Sequence, residues 1–439
     1  MIKKLTTIIL SILLSIPLFA QYTVTGGMGV PYAYDENLAG TGIEKIYLLN
    51  SLSNATIQYK SSAISVNFYY YTNTLSDKVQ VPASDISSSS SGGETTYTIS
   101  NIQDSRGYMA EENDVLKAAV WIVDYQQHQP ALSSVSVIEN EDKCENIKLF
   151  IDKSDELSFY TVGGSKRNIS RKYTISYNNL EWNGNSEAFE DKETIISERE
   201  IGTEIIINAP LMDTKFTLQG DQFAKHFGQA KTVESAPYRA IAVEAHMITV
   251  QEKRNIANEV RTEGTDLGGS APVTINFYGY GNEPVAGYYT WFIYNKRDMN
   301  NPVARYTDKD IKYAFEESGD FIVKLEVAES TSICSDTTSV EFKVTESFLD
   351  IPNYFSPGDS PGSNDEFRVA YKSLVKFKCT IFNRWGQKLY ESTDPAKGWD
   401  GRYGGRYVNT GVYFYVIEAL GSDGIKYKKG GDINVIRSK

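Results

Sequence analysis

Gly358-Asp359-Ser360-Pro361-Gly362 sets a serine between two glycines, a spacing with which hydrolases lift a nucleophilic hydroxyl out of a sharp turn. The chemistry needs more than the serine. A nucleophile elbow follows a strand, opens a helix, and uses the backbone N–H of the next residue to hold the oxyanion. That residue is Pro361, which has no N–H, and the continuation GSNDEFRVAY reads as turn, then strand. Hydrolysis at Ser360 is therefore not expected. Gly358, Asp359 and Gly362 read instead as turn residues, glycine for positive φ and aspartate for an Asx-type hydrogen bond.

Other reactive groups are spaced no better for catalysis. His128 lies in YQQHQP, His226 in AKHFG and His246 in VEAHM, and none completes the H-x-x-x-H or H-E-x-x-H spacing of a zinc site. Glu244 and His246 fall two apart, on one strand face, which suits a hydrogen bond as readily as a site. No glycine-rich loop follows a strand and opens a helix, so nucleotide binding has no motif behind it. Asp359, Asn364 and Asp365 gather hard oxygen donors in a Gly-rich loop, a composition calcium accepts, with a side-chain-capped turn as the alternative. Tyr69, Tyr70, Tyr71 and the pair Tyr288-Tyr289 are candidates for a sugar-stacking platform, although strand propensity accounts for them without a ligand. The chain is expected not to be an enzyme.

The elements that would position these groups are strands. Ile64, Val66, Phe68 and Tyr70 alternate with Ser65, Asn67 and Tyr69, and Val375, Phe377, Cys379 and Ile381 alternate with Lys376, Lys378 and Thr380. Thirty tyrosines and nineteen phenylalanines suit pleated surfaces. The nearest helix candidate is KRNIANEVR, Lys253 to Arg261. Short strands with Gly, Asn, Asp and Ser turns predict an all-β chain of tandem immunoglobulin-like β-sandwiches. Its 439 residues suffice for three or four domains at roughly 100–200 residues each.

The ends and the charge bound the setting. Lys3 and Lys4 followed by an apolar run to Ala20 form a secretory signal peptide over residues 1–20, too short and serine-broken for a membrane span. Export of a soluble chain is expected, and Gln21-Tyr22 after the cleavage point disfavours a lipoprotein. A net charge of −12 argues against nucleic acid as a partner. Cys144, Cys334 and Cys379 make no disulfide framework, although one pair could close.

The division expected along the chain is a first sandwich over 21–140, a second β-rich domain over 141–265, and two further modules over 271–346 and 349–439. SSSSSGGE (Ser87 to Glu94) reads as a loop, and RNIANEVRTEGTDLGGS as a linker. The third module resembles the polycystic-kidney-disease (PKD) type immunoglobulin-like domain in Ala271-Pro272, in the Val273, Ile275, Phe277 alternation, in Trp291 and in ESGDFIVKLEV. It departs from that family where Trp291-Phe292-Ile293-Tyr294 replaces an acidic W-D-F-G-D-G hairpin, so only the sandwich carries over.

The last module resembles the gliding-motility-associated C-terminal domain, the type B sorting domain of the type 9 secretion system of Bacteroidota. The matching residues are Asn353, Phe355 to Pro357, Asn364-Asp365 with Phe367, Phe382-Asn383-Arg384-Trp385-Gly386, Trp399-Asp400-Gly401, and Gly411 with Tyr413. The resemblance implies export across both membranes, with a type 9 translocon and an outer-membrane barrel of the PorP/SprF kind as partners, and a place at the cell surface, at the outer membrane or outside the cell. No cofactor is expected beyond the calcium candidate. The leading reading is a non-enzymatic surface protein for adhesion or for capture of a glycan or protein ligand. The alternatives are an accessory structural component of the secretion or gliding apparatus, and a secreted enzyme with an unrecognised N-terminal domain.

Overall fold

Alternating apolar residues bury one face of a strand and leave the other wet, and this chain stacks sheets made that way. The computed structural model describes residues 22–437 apart from 139–140, 155, 255, 261–266 and 360–361. The signal segment, Ser360 and Pro361 therefore lie outside the described residues.

The first module packs a four-stranded sheet (in order Tyr22–Thr25, Thr56–Ser61, Glu94–Ile99, Ile86–Ser91) on a six-stranded one (Tyr32–Tyr34, Ile43–Leu49, Val115–Asp124, Arg106–Glu112, Val66–Tyr71, Val79–Gln80). Tyr22, Ile57, Tyr59, Phe68 and Ile122 fill the space between them. Ile43–Leu49 runs parallel to Val115–Asp124, and their buried stretches Ile46–Leu49 and Ala119–Val123 are apolar throughout because both faces are covered there. The second cover comes from the next module: Leu157, Phe159, Ile169 and Phe223 close over Trp121, Tyr71 and Tyr125. Gly107 sits opposite Tyr71, where any Cβ would lie 2.3 Å from the phenol ring.

Two expectations fail in this module. Ser87 to Ser91 is not loop but most of an exposed edge strand, with only Gly92-Gly93 in the turn to Glu94–Ile99. Serine has weak strand preference, and here the paired ladder to a threonine-rich neighbour overrides it. Ile64 is fully exposed, because the strand begins at Val66.

The second module pairs a three-stranded sheet (Ala131–Ile138, Asn146–Ser154, Glu204–Asn208) with a four-stranded one containing the long hairpin Lys172–Asn183 and Ala188–Glu200. It also holds the five-residue helix Gln222–His226. The third builds its core on Trp291 between Ala245–Gln251, Val273–Gly281 and Asp310–Phe315 on one side and the sheet of Gly319–Glu329 and its neighbours on the other. The fourth is a five-stranded sheet ordered Tyr354–Phe355, Lys426–Val435, Gly411–Gly421, Leu374–Phe382, Lys388–Ser392.

Polar groups fix the joints. Between the first two modules Arg171 pairs with Asp221, both almost wholly buried, and Arg171 also donates to the carbonyl of His128. Tyr125 Oη donates to Asp221 at 2.6 Å, and Asp221 caps the short helix through the Ala224 amide at 2.8 Å. Between the second and third, the fully buried Asn282 donates to the carbonyls of Leu211 and Ala242 and accepts from the Glu244 amide. The disulfide Cys144–Cys334 spans 190 residues across the same joint, and the hairpin reaches over it so that Trp182 stacks on His246 at 4.4 Å. Cys379 stays free and buried, its thiol pushed up to about 12 by burial.

The segment expected to link the second and third modules is instead docked on the fourth in its described part. Val260 N–H donates to Tyr371 O at 2.8 Å, Asn258 Nδ2 to Val369 O at 3.1 Å, and Ala257 packs on the fourth core. Lys253 to Arg261 forms no helix in its described residues: the Glu259 amide closes a turn on Ile256 O and the Val260 amide pairs with Tyr371 O. Ser270, Thr345 and Ser373 complete that joint with hydroxyl hydrogen bonds.

Two measurements test these joints. A crosslink closing so long a segment stabilises by about 2–4 kcal/mol, so Cys144→Ser with Cys334→Ser lowers the thermal midpoint of the second and third modules, and reductant does the same to the native chain. His128 Nε2 donates to Asp104 at 2.8 Å, and that bond raises the imidazole above its ordinary 6.5 despite partial burial. Burial opposes ionisation of Asp104, but hydrogen bonds from His128 and the Asp124 amide outweigh it and hold the carboxyl below its ordinary 3.8. The His128 contribution is complete below 6.5 and lost as pH rises through the raised value; that of Asp104 is present above 3.8 and lost on acidification. Stability from this pair therefore declines on the alkaline side of pH 6.5, and in Asp104→Asn that decline is absent from melts recorded between pH 6 and 9.

Candidate functional site

The residues that carry the C-terminal resemblance divide into two groups. One builds the core. Phe355 lies 5.5 Å from Trp399 and 6.2 Å from Phe367, and Trp399 meets Tyr413 edge-on at 5.6 Å. Phe367 and Trp399 exchange both backbone hydrogen bonds, at 2.8 and 3.0 Å, and the indole Nε1 donates to Arg402 O at 3.0 Å. Gly401 has φ +73°, and a Cβ there would stand 2.7 Å from Pro357, so the ring of Pro357 demands the glycine. Asp400 accepts from the Arg402 amide and Asn353 O from the Asn434 amide. Phe382 is half-buried and faces Phe414 across the strands, and Gly411 opens the strand that carries Tyr413.

The other group is the turn Asn383-Arg384-Trp385-Gly386. Asn383 Oδ1 accepts from the amides of Trp385 and Gln387, both at 3.0 Å, and Gly386 takes φ +78°. The turn is thus closed by its own asparagine and holds Trp385 in water, 81% exposed, with Arg384 over its ring at 5.5 Å. Trp385 and Arg384 face an open pocket of about 330 Å³, whose walls include Tyr403, Arg406, Asn409 and Tyr413. The sequence reading missed Tyr403 and Arg406. The signal was present in Gly401-Arg402-Tyr403-Gly404-Gly405-Arg406-Tyr407, two Arg-Tyr pairs about a two-glycine turn, and the structure folds it as a hairpin pairing Arg402 with Tyr407 and Tyr403 with Arg406.

The calcium candidates have other work. Asp365 accepts from the Gly362 amide, the Asn364 carbonyl accepts from the Ser356 amide at 2.8 Å, and Asn364 itself takes φ +55°. Among the described residues no three His, Cys, Asp or Glu side chains converge as a metal would require. Asp365 Oδ2 and the Asn364 carbonyl oxygen therefore serve as turn caps, while Asp365 Oδ1 is buried with no hydrogen-bond partner.

The other candidates disperse. Asp104 and Ser105 both approach the same Nε2 of His128, at 2.8 and 3.5 Å, so no relay through opposite ring nitrogens exists there. His226 bonds to Val30 O, and His246 to Glu244 under the Trp182 ring. The tyrosine platform does not form: Tyr71 is buried, Lys78 covers Tyr69 at 4.2 Å, and of the pair only Tyr288 is exposed while Tyr289 is 9% accessible.

Substitutions separate the two groups. Trp399→Ala empties a fully buried site and costs the fourth module about 3–5 kcal/mol, whereas Trp385→Ala changes stability by no more than about 0.5 kcal/mol; urea unfolding followed in the last module distinguishes them.

Comparison with known proteins places two parts of the chain. Residues 136–235 match the fibronectin type III domain, and residues 349–435 match the CHU_C type IX secretion signal domain. No curated protein matches the chain. Among solved structures, dimeric latent PorU from Porphyromonas gingivalis is 11% identical over 71% of this chain and 34% of its own, at a TM-score of 0.17. The Ca2+-stabilized adhesin that helps an Antarctic bacterium reach out and bind ice is 10% identical over 88% and 94%, at a TM-score of 0.19. This chain spans about a third of the length of PorU, and at such TM-scores neither likeness bears on what it does. The chain is an all-β protein that joins a fibronectin type III domain to a type IX secretion signal domain, the mark of export to the cell surface or the extracellular space.

Proposed function

We propose that the protein is a non-enzymatic binding or adhesion protein of the cell surface, delivered by the type 9 translocon through residues 349–439 and held there by an outer-membrane barrel of the PorP/SprF kind. The observation that carries the reading is the secretion signal domain at 349–435, which has an aromatic core of its own. A signal of this type supports translocation of whatever precedes it, and what precedes it here is stacked sandwiches joined by buried polar contacts and a disulfide. Such a stack suits a projecting arm better than a catalyst, since catalysis needs convergent reactive groups and the three histidines are each spent on a local partner.

The division of labour follows the modules: the first two as the outward part, the third as spacer and 349–439 as address, with Ala131–Ile138 in the second module rather than the first and Ala245–Gln251 in the third rather than the second. The family residues Phe355, Phe367, Trp399 and Gly401 then act by making the sorting module fold, so that the machinery meets a formed sandwich.

Export decides the matter. The full chain, expressed in a type 9-competent cell, is cleaved by protease added to intact cells, while a version ending at residue 346 accumulates in the periplasm, beyond the protease's reach. A truncated chain that reaches the exterior in normal amounts sinks the proposal.

A further inference from the structure

The pocket beside the Asn383-Gly386 turn has a chemistry at odds with the rest of the chain. The protein carries 56 acidic residues against 44 lysines and arginines, yet four guanidinium groups gather at this end of the last module. Arg384 and Arg406 line the pocket, and Arg402 and Arg437 stand over the ring of the neighbouring Tyr407 at 4.0 and 4.5 Å. Among the described residues the carboxylate paired with any of the four is Asp400, 3.7 Å from Arg402. Arg437 Nε is buried with no hydrogen-bond partner. A cluster of like charges with so little internal compensation raises the local potential and favours an anion.

The pocket also offers flat rings that burial does not explain. Trp385 is 81% exposed and Tyr403 49%; the asparagine-closed turn fixes the backbone that carries the first, and Gln387 Nε2 donates to the hydroxyl of the second at 3.1 Å. A ring presented from a fixed backbone has only its side-chain freedom left to lose on binding. Asn409 and Thr410 add polar groups along the wall.

We propose that this pocket binds an acidic saccharide, with Trp385 stacking on the apolar face of a sugar ring and Arg384 and Arg406 receiving its carboxylate or phosphate. Planar guanidinium forks match both anions in two-point geometry, which ammonium groups do not. A cavity of about 330 Å³ lies within the range of small-ligand sites. Arginine clusters also hold acidic peptides, but the exposed face of Trp385 suits the apolar face of a sugar ring rather than a carboxylate side chain, which makes the acidic peptide the weaker fit. The inference rests on the reading of the protein as a surface binder and names the ligand class for it.

Titration calorimetry on the purified full-length protein tests the site with four probes: tetragalacturonate, its methyl ester, mannose 6-phosphate and tetraglutamate. Tetragalacturonate or mannose 6-phosphate binds, whichever carries the preferred anion, and the affinity falls with added salt. The uncharged ester binds at least tenfold more weakly than the free uronate wherever the uronate is the ligand. Arg384→Ala with Arg406→Ala, and separately Trp385→Ala, each weaken binding at least tenfold, with thermal midpoints unchanged because these side chains lie at the surface. Absence of binding to both anionic sugars, equal affinity of a bound uronate and its ester, full affinity in the variants, or tighter binding of tetraglutamate overturns the assignment. The measurement uses protein in solution, so its failure leaves delivery to the surface standing, and failure of delivery leaves the binding result readable.

Discussion

The Arg171–Asp221 ion pair is the constraint on which the outward half of the molecule depends. Both side chains are almost wholly out of water, and moving such charges into a protein interior costs several kcal/mol apiece unless the geometry repays it. Here each polar atom is given a partner. Asp221 receives Tyr125 Oη and the Ala224 amide besides the guanidinium, and Arg171 reaches the carbonyl of His128. The partners come from both modules, so the charges are compensated in one relative placement of the two. A rotated first module would strand a buried guanidinium, which is why the pair specifies orientation even where its net contribution to stability is small. The apolar contacts around it, Phe223 and Phe159 against Tyr125 and Trp121, favour contact but are far less particular about angle.

The remaining joints solve the same problem by other chemistry. The second joint uses one fully buried amide, Asn282, whose two donors and one acceptor are all used, together with a covalent bond. The third uses small hydroxyls at Ser270, Thr345 and Ser373, which rotate to satisfy one another at little desolvation cost. The Ser347 side chain adds hydrogen bonds to Asp423, holding that carboxyl below its ordinary range although burial opposes it. Neutral joints tolerate error better than charged ones. The joint beside the address module also carries charge, with Arg254 paired to the largely buried Glu259, but its charges lie nearer water than Arg171 and Asp221, so the joint farthest from it is the most exacting.

Much of the fold was legible because strands advertise themselves by period two. Phe377, Cys379 and Ile381 face the core as the alternation required, while Val375 packs on the third module's core and Thr380, expected on the wet face, is buried. The illegible parts are those in which a neighbour decides. Ser87 to Ser91 has the composition of a loop, and only the threonine-rich partner strand makes it a strand. The apolar run around Trp121 shows no alternation, because the second module covers the face that water would otherwise occupy. Residues 257–260 look like linker because what orders them is Tyr371 and its neighbours, more than a hundred residues on. In the candidate site, Asn383 to Gly386 was readable as a motif, but its partner hairpin Arg402 to Tyr407 was not, since facing residues on separate loops leave no fixed spacing in the chain.

That asymmetry bears on what a family signature can say. Phe355, Phe367, Trp399 and Gly401 match because they make the core and its tightest turn, where one ring fixes what the next may be. Such residues report the fold and, through it, the export address. Ligand preference is written where packing does not dictate the side chain, at exposed positions such as Arg384, Tyr403 and Arg406. A surface that folding leaves free, yet that concentrates guanidinium groups and fixed rings in an acidic chain, needs a cause outside folding, and binding supplies one.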